Sequence, residues 1–515
     1  MGGCTDQYGD CRAAFQTCFR QHRIRSLDRR GPHQGRGLAL LLATAGCAAV
    51  PDLGAPPRLA DASTLAATAS LAPAAPAAAG EWPGRGWWRG FGDPQLDALI
   101  AEALAGAPDI RAAAARLRAA DGLAEQSRGA TLPRLGVEAS AGGQQQSQNL
   151  GIPPQFVPDG IQDVGRIAGT VSFDLDLWGR NRAALAAATS ESRAAAMDAA
   201  QAGLMLSTGI AAAYADLALL HQQRDVAVAA ERIRRDTAAL TARRVDTGVD
   251  TRGELAQAEA RVPAARADIA ALDEAIALTR HRIAALIGAG PDRGLAIARP
   301  AMTPLAAGVP GDIALDLVGR RPDLAAARLR AEAAAARIKV ARAAFYPNLN
   351  LSALVGLQSL GLDQLIDGGS RIANLGPALT LPIFEGGRLS GAYRGARGQY
   401  DEAVARYDAA LAGALREVAD ALASLRALDV RLAEQRAART AAREAARIAR
   451  IRYEGGLANQ LTALAAEDQL LAAERAVADL DGRRLALNVA LVRALGGGFG
   501  QPPVAASPNS PAQGH

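Results

Sequence analysis

The sequence predicts a mainly α-helical chain that is built from two copies of one unit and carries four β-strands. Three observations lead to this fold class. Motifs recur at a fixed spacing, two very long stretches contain no proline, and four segments alternate between apolar and polar residues. Only 4% of the residues are aromatic and alanine is abundant, which suits long, closely packed helices.

The internal duplication is visible in paired motifs. Gly179-Arg180 recurs as Gly387-Arg388, a spacing of 208 residues. The same spacing relates Arg244 to Arg452, Gly248 to Gly456, Glu259 to Glu467 and Gly288 to Gly496. Because no insertion or deletion separates these pairs, the intervening segments are expected to be rigid rods rather than loops.

The first 46 residues predict an N-terminal extension that ends in an export signal. Arginines precede a short apolar run, Leu38–Ala43, and small residues then lead to Cys47. This order is typical of a secretory signal. Cys47 follows Ala-Gly as in a bacterial lipobox, so we expect residues 1–46 to be removed and Cys47 to be lipidated. The absence of aspartate at position 48 implies export to the outer membrane; the alternative is an ordinary cleavable signal with an incidental cysteine.

The sequence gives no sign of catalysis or metal binding. Cys4, Cys11 and Cys18 lie upstream of the predicted cleavage point, and we expect them to be removed rather than to form disulfides or a metal site. The five histidines are scattered, without ligand spacing. No nucleophile motif or phosphate loop is recognisable, so we expect no enzyme activity, no catalytic residue, no metal and no cofactor.

The net charge of +5 overstates the basic character of the chain. Residues 1–46 hold seven arginines and three aspartates, so the rest of the chain is near +1. Nucleic-acid binding depends on clustered, uncompensated positive charge. We therefore expect no nucleic-acid partner.

Residues 47–92 predict a tether, after which the first helices begin. Alanine and proline dominate its first part, which is typical of an extended segment. Asp93-Pro94 places a capping acid before a proline at the first helical position. The predicted helices in this region are 94–105 and 108–130, with counterparts at 312–319 and 322–345.

Each half then contains a strand pair, at about 134–177 and 348–384. Leu135 and Val137, for example, alternate with polar or small residues, which gives a strand one apolar and one polar face. Each segment has about 10 residues, the length of a tilted membrane-spanning strand. A soluble sheet with one wet face is the alternative.

A long helical hairpin follows each strand pair, at about 181–288 and 389–496. The proline-free stretch 181–244 corresponds to about 95 Å of helix. Pro263 is expected to bend the return helix or to end it near Ala260, because proline removes a hydrogen bond and clashes with the preceding turn. The two repeats therefore span 93–300 and 301–500, and the Pro/Ser-rich tail 501–515 is expected to be disordered.

Four strands from one chain cannot close a barrel, and an open sheet edge is not tolerated in lipid. Three copies would supply twelve strands, an even number within the known range. The long helices would continue such a barrel as a tube. This geometry predicts a passive, water-filled duct without bond-making chemistry.

Several motifs, in order from about residue 82 to 498, resemble the TolC-like outer-membrane factors of tripartite efflux systems, in particular the NodT-type lipoproteins. They are Trp87–Ile100, Phe173–Arg180, Arg321–Leu324, Phe345–Pro347, Gly376–Arg388, Arg452–Gly456 and Ala494–Gly498. The resemblance implies a homotrimeric 12-strand β-barrel in outer-membrane lipid, continued by a long α-helical barrel in the periplasm.

The same resemblance implies the function and partners. They are an exit duct for drugs or other small toxic compounds, a periplasmic membrane-fusion adaptor and an inner-membrane pump of the RND type. The outer-membrane channel of a type I protein secretion system is the alternative within this class. A lipid-tethered coiled-coil spacer is a third hypothesis, but it leaves the four strands unexplained.

The resemblance also implies roles at the hairpin tips. Arg244 with Gly248, and Arg452 with Gly456, lie in the turns expected to dock the adaptor; ordinary helix-turn glycine chemistry is the alternative. Arg452 and Tyr453 match residues that hold the tip closed in relatives; the alternative is a solvated helix-end arginine beside a packed tyrosine.

The acidic residues beyond Tyr453 are a second gate hypothesis. Relatives often have a ring aspartate about twelve positions after that tyrosine, where this chain has Ala465. Glu467 and Asp468 follow, and a ring of such carboxylates would favour cations. The alternative is that both belong to a solvated helix face.

Overall fold

A computed structural model describes residues 50–71, 82–149, 151–305 and 313–500. Cys47, the predicted signal and the tail 501–515 lie outside the described residues, so the expectations for them stay predictions. Within these ranges the helices are α1 Thr68–Leu71, α2 Pro94–Gly106, α3 Pro108–Gly129, α4 Arg180–Asp246, α5 Arg252–Ile287, α6 Asp292–Leu295, α7 Ile313–Arg320, α8 Pro322–Ala343, α9 Arg388–Glu454 and α10 Gln460–Ala494. The strands are β1 Arg134–Gln145, β2 Ile161–Asp174, β3 Asn348–Leu360 and β4 Arg371–Thr380.

The two longest helices, α4 and α9, have 67 residues each and extend for about 100 Å. Each starts directly after a glycine with positive φ, Gly179 at 73° and Gly387 at 87°. The return helices are capped by side chains: Thr251 and Glu254 form a reciprocal capping box on α5, and Asn459 accepts from the Thr462 amide on α10. These caps fix the turns at which the hairpins reverse.

Pro263 does not end its helix. Helix α5 runs without interruption from Arg252 to Ile287 with Pro263 inside it, so the expected break near Ala260 is wrong. The missing amide removes only one hydrogen bond of a 36-residue helix that packs along α4 over its length. Tertiary packing therefore outweighs the local cost of the proline.

The four strands form one antiparallel sheet in the order β1-β2-β3-β4. One row across the sheet is apolar or small and pairs Leu135, Val171, Ala353 and Leu375, whereas the adjacent row is polar or small and pairs Arg134, Ser172, Ser352 and Gly376. Exposed large apolar side chains concentrate on the first face. The sheet thus has the two-sided pattern that the sequence predicts.

Two strand ends differ from the sequence prediction. Strand β2 ends at Asp174, because Asp176 takes a left-handed conformation with φ of 44° and its carboxylate accepts from the amides of Asn181 and Arg182 at the start of α4. Strand β4 ends at Thr380, before Pro382, which has no amide to donate. The alternating residues beyond these points form the junction between sheet and helices.

The main core lies where α2 packs against the middle of α4 and the end of α5. Phe91, Leu99, Ile210 and Ile283 are fully buried there. Helix α4 also contains an 18-residue window with a mean hydropathy of 1.5, apolar enough to cross a membrane, but 61% of that window is buried in the protein. We therefore interpret this window as part of the core.

The start of the described chain forms a strap along α9. Arg397 donates to the carbonyl oxygens of Gly54 and Ala55, at 3.1 and 2.6 Å, and the Tyr400 hydroxyl donates to Pro57 O at 2.9 Å. The strap runs parallel to α9. Its N-terminal end therefore points toward the sheet.

Candidate functional site

The tips of the two hairpins are joined by a polar network centred on Arg244. Its guanidinium donates to both carboxylate oxygens of Asp250, at 2.9 and 3.2 Å, and to the backbone oxygen of Tyr453 at 2.8 Å. It also lies 4.4 Å from the centre of the Tyr453 ring. Arg244 of the first repeat therefore binds the C-terminal end of α9, a helix of the second repeat.

Tyr453 occupies the middle of this network and is only 1% exposed. Its hydroxyl donates to Asp250 and lies 3.0 Å from the Thr241 hydroxyl. Gln460 donates to Thr241 Oγ1 and to the Glu254 carbonyl, both at 3.1 Å. The predicted gate residue thus links α4, α9 and α10 through side chains that are largely removed from water.

The pKa values at the tip follow this arrangement. Burial alone would raise the pKa of the Asp250 carboxyl, but hydrogen bonds from Arg244 and Tyr453 outweigh it and lower the pKa. Burial, followed by the bond to Asp250, raises the pKa of the Tyr453 hydroxyl. Near neutral pH the network therefore contains a charged Arg–Asp pair and a neutral tyrosine.

Glu467 lies inside the helix pack and not on a solvated face. It is 6% exposed, and its Oε1 accepts from Thr237 Oγ1 at 2.8 Å across the two hairpins. Its Oε2 is buried without a hydrogen-bond partner. Both sequence interpretations placed an exposed acidic pair here, and for Glu467 that exposure is wrong because its helix turns this side chain toward α4.

Arg452 and Asp468 are situated differently. Arg452 is exposed, and its side chain has no hydrogen bond or ion pair within the described ranges. Asp468 accepts from Arg261 of the other hairpin at 2.9 Å and remains about half exposed. Ala465 is exposed. The structure thus joins Arg244, Tyr453 and Asp250 into one site and leaves Arg452 outside it.

Both turns contain a glycine in the left-handed region, Gly248 with φ of 73° and Gly456 with φ of 71°. A side chain at either position would be strained. The next residues are Val249 and Leu457, which are 60% and 73% exposed. Each tip therefore presents an apolar side chain at its end, and Leu461 is exposed beside Leu457 at the second tip.

Sequence reasoning missed Asp250, Thr237, Thr241 and Gln460. Asp250 lies within the predicted turn, but its partner Tyr453 is 203 residues away in sequence. Thr237, Thr241 and Gln460 stand where the other repeat has different residues. The difference between the two repeats at these positions is the sequence signal that could have identified them. For the ranges that the structure describes, no group of three or more metal-ligating side chains is found.

The fold and both tips define a class of protein. The family model of the outer membrane efflux protein matches residues 99–289 and 316–497, one match for each repeat. The chain belongs to this family. It is an outer-membrane efflux channel protein of the Gram-negative type that extends into the periplasm, which confirms the fold and the resemblance inferred from the motifs.

Particular relatives agree. The crystal structure of the outer membrane protein VceC from Vibrio cholerae is 42% identical, with a TM-score of 0.78 over 81% of this chain and 100% of that chain. The outer-membrane channel OprN is 30% identical, with a TM-score of 0.78 over 87% of this chain and 99% of that chain. The fusaric acid resistance protein FusA of Burkholderia cepacia is 37% identical over 368 residues, 68% of this chain and 67% of that protein. The multidrug resistance outer membrane protein MdtP of Escherichia coli (strain K12) is 32% identical over 437 residues, 82% and 88% of the two chains.

Proposed function

We propose that the chain is the homotrimeric exit duct of a tripartite efflux system for small toxic compounds. The observation that carries this proposal is the four-stranded sheet, which has one apolar face and whose outer strands, β1 and β4, pair with no other strand of the described chain. Three such sheets would pair edge to edge into a twelve-strand barrel. The polar face would then line a wet lumen.

The tips are the proposed contact with a periplasmic membrane-fusion adaptor. Each offers an apolar side chain, Val249 or Leu457, beside a turn that requires glycine, Gly248 or Gly456. Exposed apolar side chains on a turn of fixed geometry suit insertion between the helices of a partner. Through the adaptor, the duct would receive compounds from an inner-membrane pump of the RND type.

The strap on α9 supports a lipid anchor at Cys47. Arg397, which bonds Gly54, lies nine residues after the start of α9. Gly54 is therefore about 14 Å along the helix from its sheet-proximal end. Cys47 precedes Gly54 by seven residues, which span up to about 24 Å when extended. Cys47 can therefore reach the membrane at the end of the sheet, where an acyl chain would insert.

The network of Arg244, Asp250 and Tyr453 is the proposed latch of the periplasmic entrance. It joins the two hairpins of one chain at their ends, where a small rotation of one hairpin changes the aperture most. Breaking a few charge-assisted bonds would free the hairpins to separate. Arg452, exposed beside the latch, is available to a neighbouring chain or to the adaptor.

Two measurements test the function. Purified protein in planar bilayers should give stepwise conductance, and a silent protein would contradict the duct. Deleting the gene should sensitise cells to a panel of small toxic compounds, such as the fusaric acid and toluene named for relatives. Unchanged sensitivity together with loss of a secreted protein would favour the type I secretion alternative.

A further inference from the structure

The buried carboxyl group of Glu467 is the feature of the tip that a latch of salt bridges does not explain. It sits on α10 and contacts α4 through Thr237. One oxygen accepts a single hydrogen bond and the other has no partner. A buried carboxylate without a cation or a full set of donors is costly, and the protonated acid costs much less in the same place.

The charged groups around Glu467 are already paired with other residues. Arg450 of α9 bonds Glu454 at 2.9 Å, and Arg261 of α5 bonds Asp468 of α10 at 2.9 Å. Helix α4 contributes the Thr237 hydroxyl, and Arg234, one turn before Thr237, forms no hydrogen bond or ion pair with Glu467. No cation of the described chain forms an ion pair with Glu467, so the closed tip favours the neutral acid.

We infer that Glu467 is protonated in the closed tip and releases its proton when the two hairpins separate, which couples opening of the entrance to pH. This inference rests on the proposed function, because it assigns a proton to the latch of that duct. The proton passes from the Glu467 carboxyl to bulk water as water enters between α4 and α10. No other covalent bond changes, and the hydrogen bond from Thr237 to Glu467 is replaced by hydrogen bonds to water.

The direction of the effect follows from burial. Burial raises the pKa of Glu467 in the closed tip against the opposing bond from Thr237, while the open tip exposes it and restores an ordinary value. Closure is therefore fully favoured below the ordinary carboxyl pKa and loses this contribution as pH rises through the raised one. Between the two, the open-to-closed ratio of each tip grows by up to about tenfold per pH unit.

Asp250 and Tyr453, the titratable partners of Arg244 in the latch, act outside this window. The pKa of Asp250 is lowered and that of Tyr453 is raised. Neither group therefore changes its protonation state at a pH between these two pKa values. The chain provides a matched control: Glu259, the repeat counterpart of Glu467, is exposed on α5. Glu259→Gln removes the same chemical group at the equivalent position of the other hairpin.

The experiment measures the distance between the two tips as a function of pH. Spin labels are placed at Val249→Cys and Leu457→Cys in the full chain, with Cys4, Cys11 and Cys18 replaced by serine and Cys47 kept, because a lipidated cysteine is a thioether and does not react with a thiol label. Labelled chain is co-assembled with excess unlabelled chain, so that the measured distance is within one chain. Pulsed electron paramagnetic resonance is recorded from pH 4.5 to 9. Glu467→Gln and Glu259→Gln are compared on this background.

The wild-type distance is expected to increase with pH, and Glu259→Gln should follow it. Glu467→Gln, which cannot ionise, should keep the short distance throughout. Thr237→Val removes the donor that stabilises the ionised carboxylate in the closed tip, so it should increase opening above the ordinary carboxyl pKa and leave the tip closed at the acid end of the range, whereas a purely adhesive role of that bond would open the tip at every pH. A wild-type distance that does not change with pH, or a pH response retained by Glu467→Gln, would overturn the inference. Conductance is recorded separately, so a pH-responsive tip in a silent protein contradicts the proposed function alone.

Discussion

The two hairpin tips occupy equivalent positions in a duplicated chain, yet they use their shared arginine differently. In the first tip, Arg244 is bound by Asp250 and by the end of the other hairpin. In the second, Arg452 is exposed, and Ala458 stands where the first tip has Asp250. The long helices are thus alike in the two repeats, whereas differences at a few side chains allow the two tips to form one shared network.

Neither repeat contains the whole latch. The first supplies Asp250 and the hydroxyl groups of Thr237 and Thr241 that bond Glu467 and Tyr453 of the second. The second has alanine at all three equivalent positions. The second supplies Tyr453, where the first has Val245. The network therefore exists only between unlike halves, and each half can be altered separately.

The largest effect is expected from Asp250→Ala. It removes both partners of the Arg244 fork and the acceptor of the Tyr453 hydroxyl, and it leaves a largely buried charge unpaired. Loss of one member of such a pair costs about 3 kcal/mol, more than a hundredfold in the open-to-closed ratio. The measurement is hydrogen exchange of the tip amides, with conductance at constant pH. Asp246→Ala, an exposed acid on the same tip, should leave both unchanged.

The comparison of the two arginines gives the next effect. Arg244→Ala should destabilise closure by about 2 kcal/mol, because it removes charged hydrogen bonds to Asp250 and Tyr453. Arg452→Ala should change tip exchange within one protomer by less than about 0.5 kcal/mol. Equal effects of the two substitutions on tip exchange would mean that the asymmetry between the tips has no energetic meaning.

Tyr453→Phe should have a smaller effect. The ring remains under Arg244, and only the hydroxyl bonds to Asp250 and Thr241 are lost, at a cost of about 1 kcal/mol. Hydrogen exchange should rise roughly fivefold at the tip. No change would show that the hydroxyl does not contribute to closure and that packing of the ring alone holds this end of α9.

The smallest effect is expected from Ala458→Asp, which copies the acid of the first tip into the second. It gives Arg452 a partner in its own turn, at a partly exposed position beside an exposed arginine, where such pairs contribute about 0.5 kcal/mol. Slower exchange around Gly456 would be the readout. Faster exchange would contradict the equivalence of the two turns.

The long elements were predictable from sequence, because their signals are local. Freedom from proline and a constant repeat spacing placed the rod ends of α4 and α9 within two residues of those observed, and alternation identified β1 and β3. Strand β4 ends at Thr380, before the predicted limit of the strand pair at about 384. Its true span contains Pro377 and little alternation, whereas the residues around Pro382 alternate without pairing.

The latch was not predictable in the same way. Tyr453 was recognised through the resemblance, but its partners Asp250 and Thr241 are more than 200 residues away in sequence. The burial of Glu467 likewise depends on which side of α10 meets α4. In an alanine-rich helix with little amphipathic contrast, the sequence does not mark that side.

The proposed duct requires that several chains together form one β-barrel, because the sheet of a single chain has two open edges. Native mass spectrometry of detergent-extracted protein, together with circular dichroism of the same sample, tests this directly. The prediction is a complex of three chains that retains a β-sheet signal. Single chains without a sheet signal would contradict the barrel and the transport function built on it.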